Sequence, residues 1–329
     1  MLRTVTETAH MWPFFAAGWI GGPPDGYSSD DFPLLFGRPT PASWREIVYD
    51  RTLEAGVRIQ AERLGLLRFD FPDWAPGVPG EVEDDFSSNV EVTVNRLRIL
   101  NAYQLLAHSA FLDVENMGTQ TTRLNTSDLI HIGNGGMGGP GLLRFPTTVG
   151  DKDFARMETV SIQVLDHAAT TLEDVLRDDT QELLTLIDLL HLGLATFQGH
   201  DYSQSAIAAW TVCERVIAKR WQRYRDERSG EVTLPSGVKG GRINKERRKE
   251  LDRFANAVVS HLLELADELP FEVWHNLKTV RKARNDYVHY GNAPTVQETQ
   301  LTLSTAADLL GAEVGFPLRL SYSRTVTGY

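Results

Sequence analysis

Val280-Arg281-Lys282-Ala283-Arg284-Asn285-Asp286-Tyr287-Val288-His289-Tyr290-Gly291 is the stretch that decides how the chain is read. Val273, Leu277, Val280 and Tyr287 or Val288 recur at helical spacing. Pro270 stands where a first helical turn tolerates proline, and Gly291 and Pro294 punctuate the end. A helix from Pro270 to about Tyr290 follows. On it Arg284 is followed at once by Asn285 and five positions later by His289. The guanidinium is a permanent cation with a planar fork of donors that suits a phosphate. The imidazole exchanges a proton near neutral pH without a shifted pKa. The amide orients either partner or holds a backbone or ribose group. Together they form a minimal kit for cutting a phosphodiester without a metal. The bare Arg–His spacing carries nothing: 26 arginines and 9 histidines among 329 residues give 26 × 9/329, or about 0.7, such pairs by accident. The adjoining amide and the helix end supply the context.

With that context the stretch resembles the HEPN family, whose signature is Arg, a polar residue, then His after four to six intervening residues. The match runs Arg284-Asn285-Asp286-Tyr287-Val288-His289 within residues 180–315. An upstream segment, Ala208-Ala209-Trp210-Thr211-Val212-Cys213-Glu214-Arg215-Val216, looks like the family's aromatic-and-acid helix. The resemblance implies an antiparallel helical bundle that homodimerises and acts as a metal-independent RNase in phage defence, toxin–antitoxin or RNA-processing systems. Some members only bind. It also implies that Glu214 pairs with Arg284 in the core.

Charge distribution agrees with a local phosphate surface. The chain carries a net −11, yet residues 210–290 hold 17 Lys/Arg against 12 Asp/Glu, a net of +5, and the remainder is −16. The acidic remainder restrains indiscriminate binding to bulk RNA. One cysteine, Cys213, excludes an intramolecular disulfide and fits a reducing cytoplasm. On an apolar helix it reads as a small buried hydrophobe. The apolar patch Met11–Ile20 is too short for a bilayer and is broken by Pro13, so neither a membrane span nor a signal peptide is expected. No histidine pair has metal-ligand spacing with a carboxylate in place, and no metal or other cofactor is implied.

The expected architecture is mainly α. An α-rich N-terminal domain with a few short strands and long loops (1–150), a possible sensor, precedes a HEPN-like antiparallel bundle (151–329). Residues 1–42, rich in Pro, Gly and aromatics, predict irregular structure or short strands. Ser43 and Glu46 form a capping-box signature for a helix reaching Leu64, with Gly65 as its stop. Phe69-Asp70-Phe71 reads as a short strand. A helix is expected over 95–112; the alternation Val90-Glu91-Val92-Thr93-Val94 leaves its start open between strand and helix. The glycine-rich run 133–141 reads as a flexible loop, because no Gly-Lys-Ser/Thr follows to make it a phosphate cradle. Helices are then expected over 154–176, 183–197, 203–225, a further one ending at Leu269, the motif helix, and 295–310. A loop over 228–241 and an extended tail over 317–329 complete the chain.

On this reading His289 is general base on a ribose 2′-OH or general acid on the departing 5′-oxygen. Arg284 stabilises the phosphorane-like transition state, with Asn285 beside it. The 2′-OH as nucleophile makes the enzyme RNA-selective. Lys278, Arg281 and Lys282 are candidates for flanking phosphates. Asp286 orients His289 or caps a neighbouring helix. Arg220 and Arg223, in the cation–aromatic run Lys219–Arg225, either contact RNA or form a solvated helix end. Tyr287 stacks a base or packs in the core. Five helical positions separate Arg284 from His289 by about 7.5 Å and about 140°. Convergence therefore needs the helix to loosen before Gly291, or a two-fold partner to supply a second copy. The alternative function is a non-catalytic helical module that binds RNA, nucleotide or a protein.

Overall fold

A computed structural model describes residues 8–11, 19–26, 42–63, 65–71, 86–115, 123–124, 159–177, 181–233, 235–237, 239–241, 243 and 245–322. The chain is mainly helical, with a small antiparallel sheet near its N-terminus. Strands β1 (Thr8–Met11), β3 (Ile47–Thr52), β4 (Arg58–Glu62) and β5 (Leu67–Asp70) form the sheet in the order β1-β5-β4-β3. A second pairing, parallel, joins β2 (Trp19–Ile20) to β6 (Thr159–Val160).

The helix expected over 43–64 is not formed. A 3-10 turn, Ala42–Arg45, gives way to β3 and β4. In β3 Tyr49 is buried and Val48 half-buried, with the register shifting between Ile47 and Tyr49, and Ile59, Ala61, Leu67 and Phe69 fill the same core. Gly56 at φ 82° lets the chain reverse between the strands. Glu46, read as a capping partner, instead pairs with Arg63 at 2.7 Å. β5 accounts for the expected strand at 69–71, starting two residues and ending one residue earlier.

Helix α1 (Phe86–Glu115) runs nine residues earlier than expected, and its alternating start is helical. From residue 95 to 111 almost every side chain is inaccessible, so α1 is the central rod of the molecule. Tyr103 meets Phe69 of the sheet edge-on at 5.2 Å. On its other side Asn101 donates to Asp188 of α3 (Glu182–Gln198), which also holds Arg123 at 2.9 Å. The division at residue 150 and the glycine-rich run 133–141 lie outside the described residues. One continuous apolar cluster extends from Ile20 to Leu318.

Helix α2 (Ile162–Arg177) is shorter than the expected 154–176. Val160 is buried, but as part of β6. α2 is fastened to the sheet by Arg51, which donates to Asp166 and Glu173 at 2.8 and 2.7 Å. α3, α4 (Tyr202–Glu227), α6 (Asn256–Leu265), α7 (Phe271–Tyr290) and α8 (Val296–Val314) pack against one another, with short connections between α3 and α4, α6 and α7, and α7 and α8. Where α3 meets α4, Gly193 lies against Leu303 and the Ser205 carbonyl, and Ser205 Oγ donates to the Gly193 carbonyl at 2.7 Å. The loop expected over 228–241 contains a hairpin, β7 (Glu231–Thr233) and β8 (Lys239–Gly241). The helix expected to end at Leu269 is broken into α5 (Lys245–Leu251) and α6. Thr295 caps α8 with a full capping box through Glu298. The segment after α8 is strapped onto α1: Ser109 donates to the Arg319 carbonyl, and the Ser321 N–H donates to His108. Among the described residues no helix is long and apolar enough to cross a membrane.

Candidate functional site

α7 forms as its sequence dictates. Leu277, Val280 and Ala283 are buried at helical spacing, Pro270 caps the N-terminus, and Gly291 at φ 72° closes the C-terminus. The α-helix continues through Tyr290, and the Gly291 N–H returns to the Tyr287 carbonyl at 2.8 Å. The helix therefore does not loosen before Gly291, and the 140° separation of Arg284 and His289 stands.

The two residues end in different environments. Arg284 is half-buried beside the Leu277 and Val280 face. Its Nη1 donates to Asn285 Oδ1 at 3.1 Å, and its Nε is inaccessible and has no partner. His289 is exposed, with its ring 6.3 Å from that of Tyr290, itself 76 % exposed. Arg284 and Asn285 are thus brought together; His289 is not brought to them within one chain. Asp286 makes no ion pair with His289; its carbonyl accepts the N–H groups that close the helix.

Glu214 and Arg284 do not form the expected core pair. Glu214 instead lines a cleft of about 20 Å³ between α4, α6 and α7, which it shares with Trp210, Asn256 and Arg281. Trp210 Nε1 is buried without a partner. Cys213, in the same cleft, is fully buried, and burial pushes its thiol up, so it is no nucleophile.

The RNA contact expected of Arg220 needs correction. Arg220 is buried and directed inward. It donates to Glu313 of α8 at 2.7 Å and to the Leu309 carbonyl at 3.3 Å. Arg223 reaches the other Glu313 oxygen at 3.0 Å. Burial raises the Glu313 carboxyl, but the two guanidinium groups more than offset it, and the net shift is downward. Arg220 and Arg223 bind α4 to α8 through Glu313, a partner at least 90 residues away that sequence spacing does not announce.

The remaining cations of α7 differ. Lys278 and Lys282 are exposed and Arg281 is half-buried; neither they nor Arg284 forms an ion pair among the described residues. Lys282 lies near enough to Glu298 to help lower its pKa, after the Thr295 N–H and hydroxyl, which are the main causes. Lys278, Lys282 and His289 share the solvent face of α7, and His275 stands at the same meridian. Tyr287 is half-buried. Aromatic contacts at the N-terminal end of α7, between Phe271, Trp274 and His275, were not singled out in the sequence. Their i, i+3, i+4 spacing was the available signal. No group of three or more His, Cys, Asp or Glu able to hold a metal ion occurs among the described residues. Against protein-family models, curated proteins and solved structures, the chain gives no match.

Proposed function

We propose that the protein is a metal-independent endoribonuclease of HEPN-like organisation, acting as a defence or toxin effector, with its site on α7. The observation that carries this reading is the set of Lys and Arg side chains on that helix that form no ion pair among the described residues. Carboxylates outnumber Lys and Arg by 44 to 33 in this chain, so internal pairing is the easy fate of a cation. Arg220 and Arg223 take it; Lys278, Arg281, Lys282 and Arg284 do not. A basic set left unpaired beside an exposed imidazole is suited to an external anion. In the reaction the ribose 2′-oxygen bonds to phosphorus while the bond to the 5′-oxygen breaks. One imidazole removes the 2′-proton and a second protonates the departing oxygen, leaving a 2′,3′-cyclic phosphate and a 5′-hydroxyl. Because the helix is regular, a second chain must supply the complementary Arg284 or His289, so the homodimer belongs to the proposal.

The test is expression of wild type, Arg284→Ala and His289→Ala in a bacterium, with RNA cleavage by the purified proteins measured in EDTA. Toxicity and cyclic-phosphate ends in wild type alone, with specific activity rising with protein concentration, support the reading. Equal harmlessness of all three, and intact RNA, refute it. A second reading, a non-catalytic module binding RNA, nucleotide or protein, is favoured by the divergence of Arg284 and His289 within one chain.

A further inference from the structure

The first residue of α7 and its motif histidine are eighteen positions apart, five whole turns, so Phe271 and His289 lie on one meridian about 27 Å apart. His275, Lys278 and Lys282 fall between them on the same exposed face. Phe271 is 65 % exposed yet ordered by its neighbours: its ring lies 5.3 Å from Trp274 and 6.4 Å from His275, nearly parallel to the latter. His261 of α6 supports Trp274 from behind at 5.0 Å. A large exposed apolar ring, in line with cations that form no ion pair among the described residues, is what single-stranded nucleic acid uses: bases stack on the aromatic while the backbone follows the charges.

We propose that this stripe is a binding track for a single-stranded RNA segment, with an unpaired base stacked on Phe271 and successive phosphates led past Lys278 and Lys282 toward His289. A second copy of the chain is the competing occupant, since Leu265 nearby is 78 % exposed. Interface cores are depleted in lysine, and two exposed lysines in the middle of the stripe favour the polyanion. Glu272 lies on the flank, where it raises the Asp308 carboxyl behind desolvation, and confines the phosphate path to the Lys278–Lys282 side. The inference rests on the RNA-directed reading of α7 but not on cleavage.

The test uses the full chain and a fluorescein-labelled 2′-O-methyl decanucleotide carrying one 2-aminopurine, which cannot be cut because its 2′-oxygen is blocked. Phe271→Ala is expected to weaken binding about five-fold or more and to abolish aminopurine quenching, with Phe271→Trp restoring both. Lys278→Ala with Lys282→Ala is expected to lower the log affinity–log salt slope by about 1.4 while leaving quenching at saturation. Unchanged affinity and quenching in Phe271→Ala overturn the track. So does a loss of self-association in that variant without any change in RNA binding. If wild type binds by stacking but cleaves no RNA, the nuclease reading fails and the track stands; if it cleaves and Phe271→Ala is neutral, the reverse holds.

Discussion

Arg220→Met and Arg284→Met should separate a structural arginine from a functional one by unfolding alone. The Arg220 side chain is 9 % exposed and its Glu313 partner 4 %. Removing the guanidinium leaves a buried carboxylate held only by Arg223, which is half in solvent. Breaking a buried pair from one side costs about 3–5 kcal/mol. Arg284 loses one hydrogen bond, to Asn285, worth about 1 kcal/mol, and relieves a buried Nε that has no partner. Methionine keeps most of the apolar stem in both cases. The net for Arg284→Met is therefore within about 1 kcal/mol of wild type. Urea unfolding at neutral pH, followed by circular dichroism, measures both. If Arg284→Met is as damaging as Arg220→Met, Arg284 is a brace between helices, and loss of activity in any Arg284 variant says nothing about chemistry.

Acid should destabilise the fold before carboxylates titrate. Burial lowers His108 to about 4, and burial lowers His191 to about 3, with Arg123 assisting. The unfolded chain takes up these protons near pH 6.5 and the folded chain refuses them, so stability is full above pH 6.5 and falls as pH drops toward 4. His108 alone contributes about 3 kcal/mol to that limb, and His108→Gln should flatten it in urea midpoints measured from pH 7 to 4. At Gly193, a Cβ would stand 3.1 Å from the Leu303 side chain and 3.4 Å from the Ser205 carbonyl. Gly193→Ala is expected to cost about 1–3 kcal/mol by pressing on Leu303 of α8; an unchanged unfolding midpoint would show that Leu303 simply rotates away.

The helical half of the fold was legible because its signals are local. Apolar residues at 3.6-residue spacing, Pro270, Gly291 and Thr295 each act within a turn of their own position, and α3, α4, α7 and α8 fall within a few residues of expectation. The sheet was not legible because its stabilising partners are remote. Tyr49 and Arg51 turn toward α2, more than a hundred residues away. Ser43 and Glu46 meanwhile offer a local capping pattern that tertiary pairing overrides. A two-period alternation at Val90–Val94 left the start of α1 open; continuity with the largely buried helix that follows makes it helical.

Legibility of the site divides the same way. Sequence places Arg284, Asn285 and His289 on one helix and fixes the angle between them, since a regular α-helix leaves no freedom there. It does not say which cations are already paired. Arg220 and Arg223 look as suited to phosphate as Lys278 and Lys282, and only the position of Glu313 on α8 separates the two sets. Composition alone, 44 carboxylates against 33 Lys and Arg, does not announce which cations are paired. The motif's geometry then sets a condition on its use. On the proposed reading, a half-buried guanidinium and an exposed imidazole on one regular helix act on one phosphate only if the helix meets another copy of itself, so the proposed cleavage requires the proposed self-association.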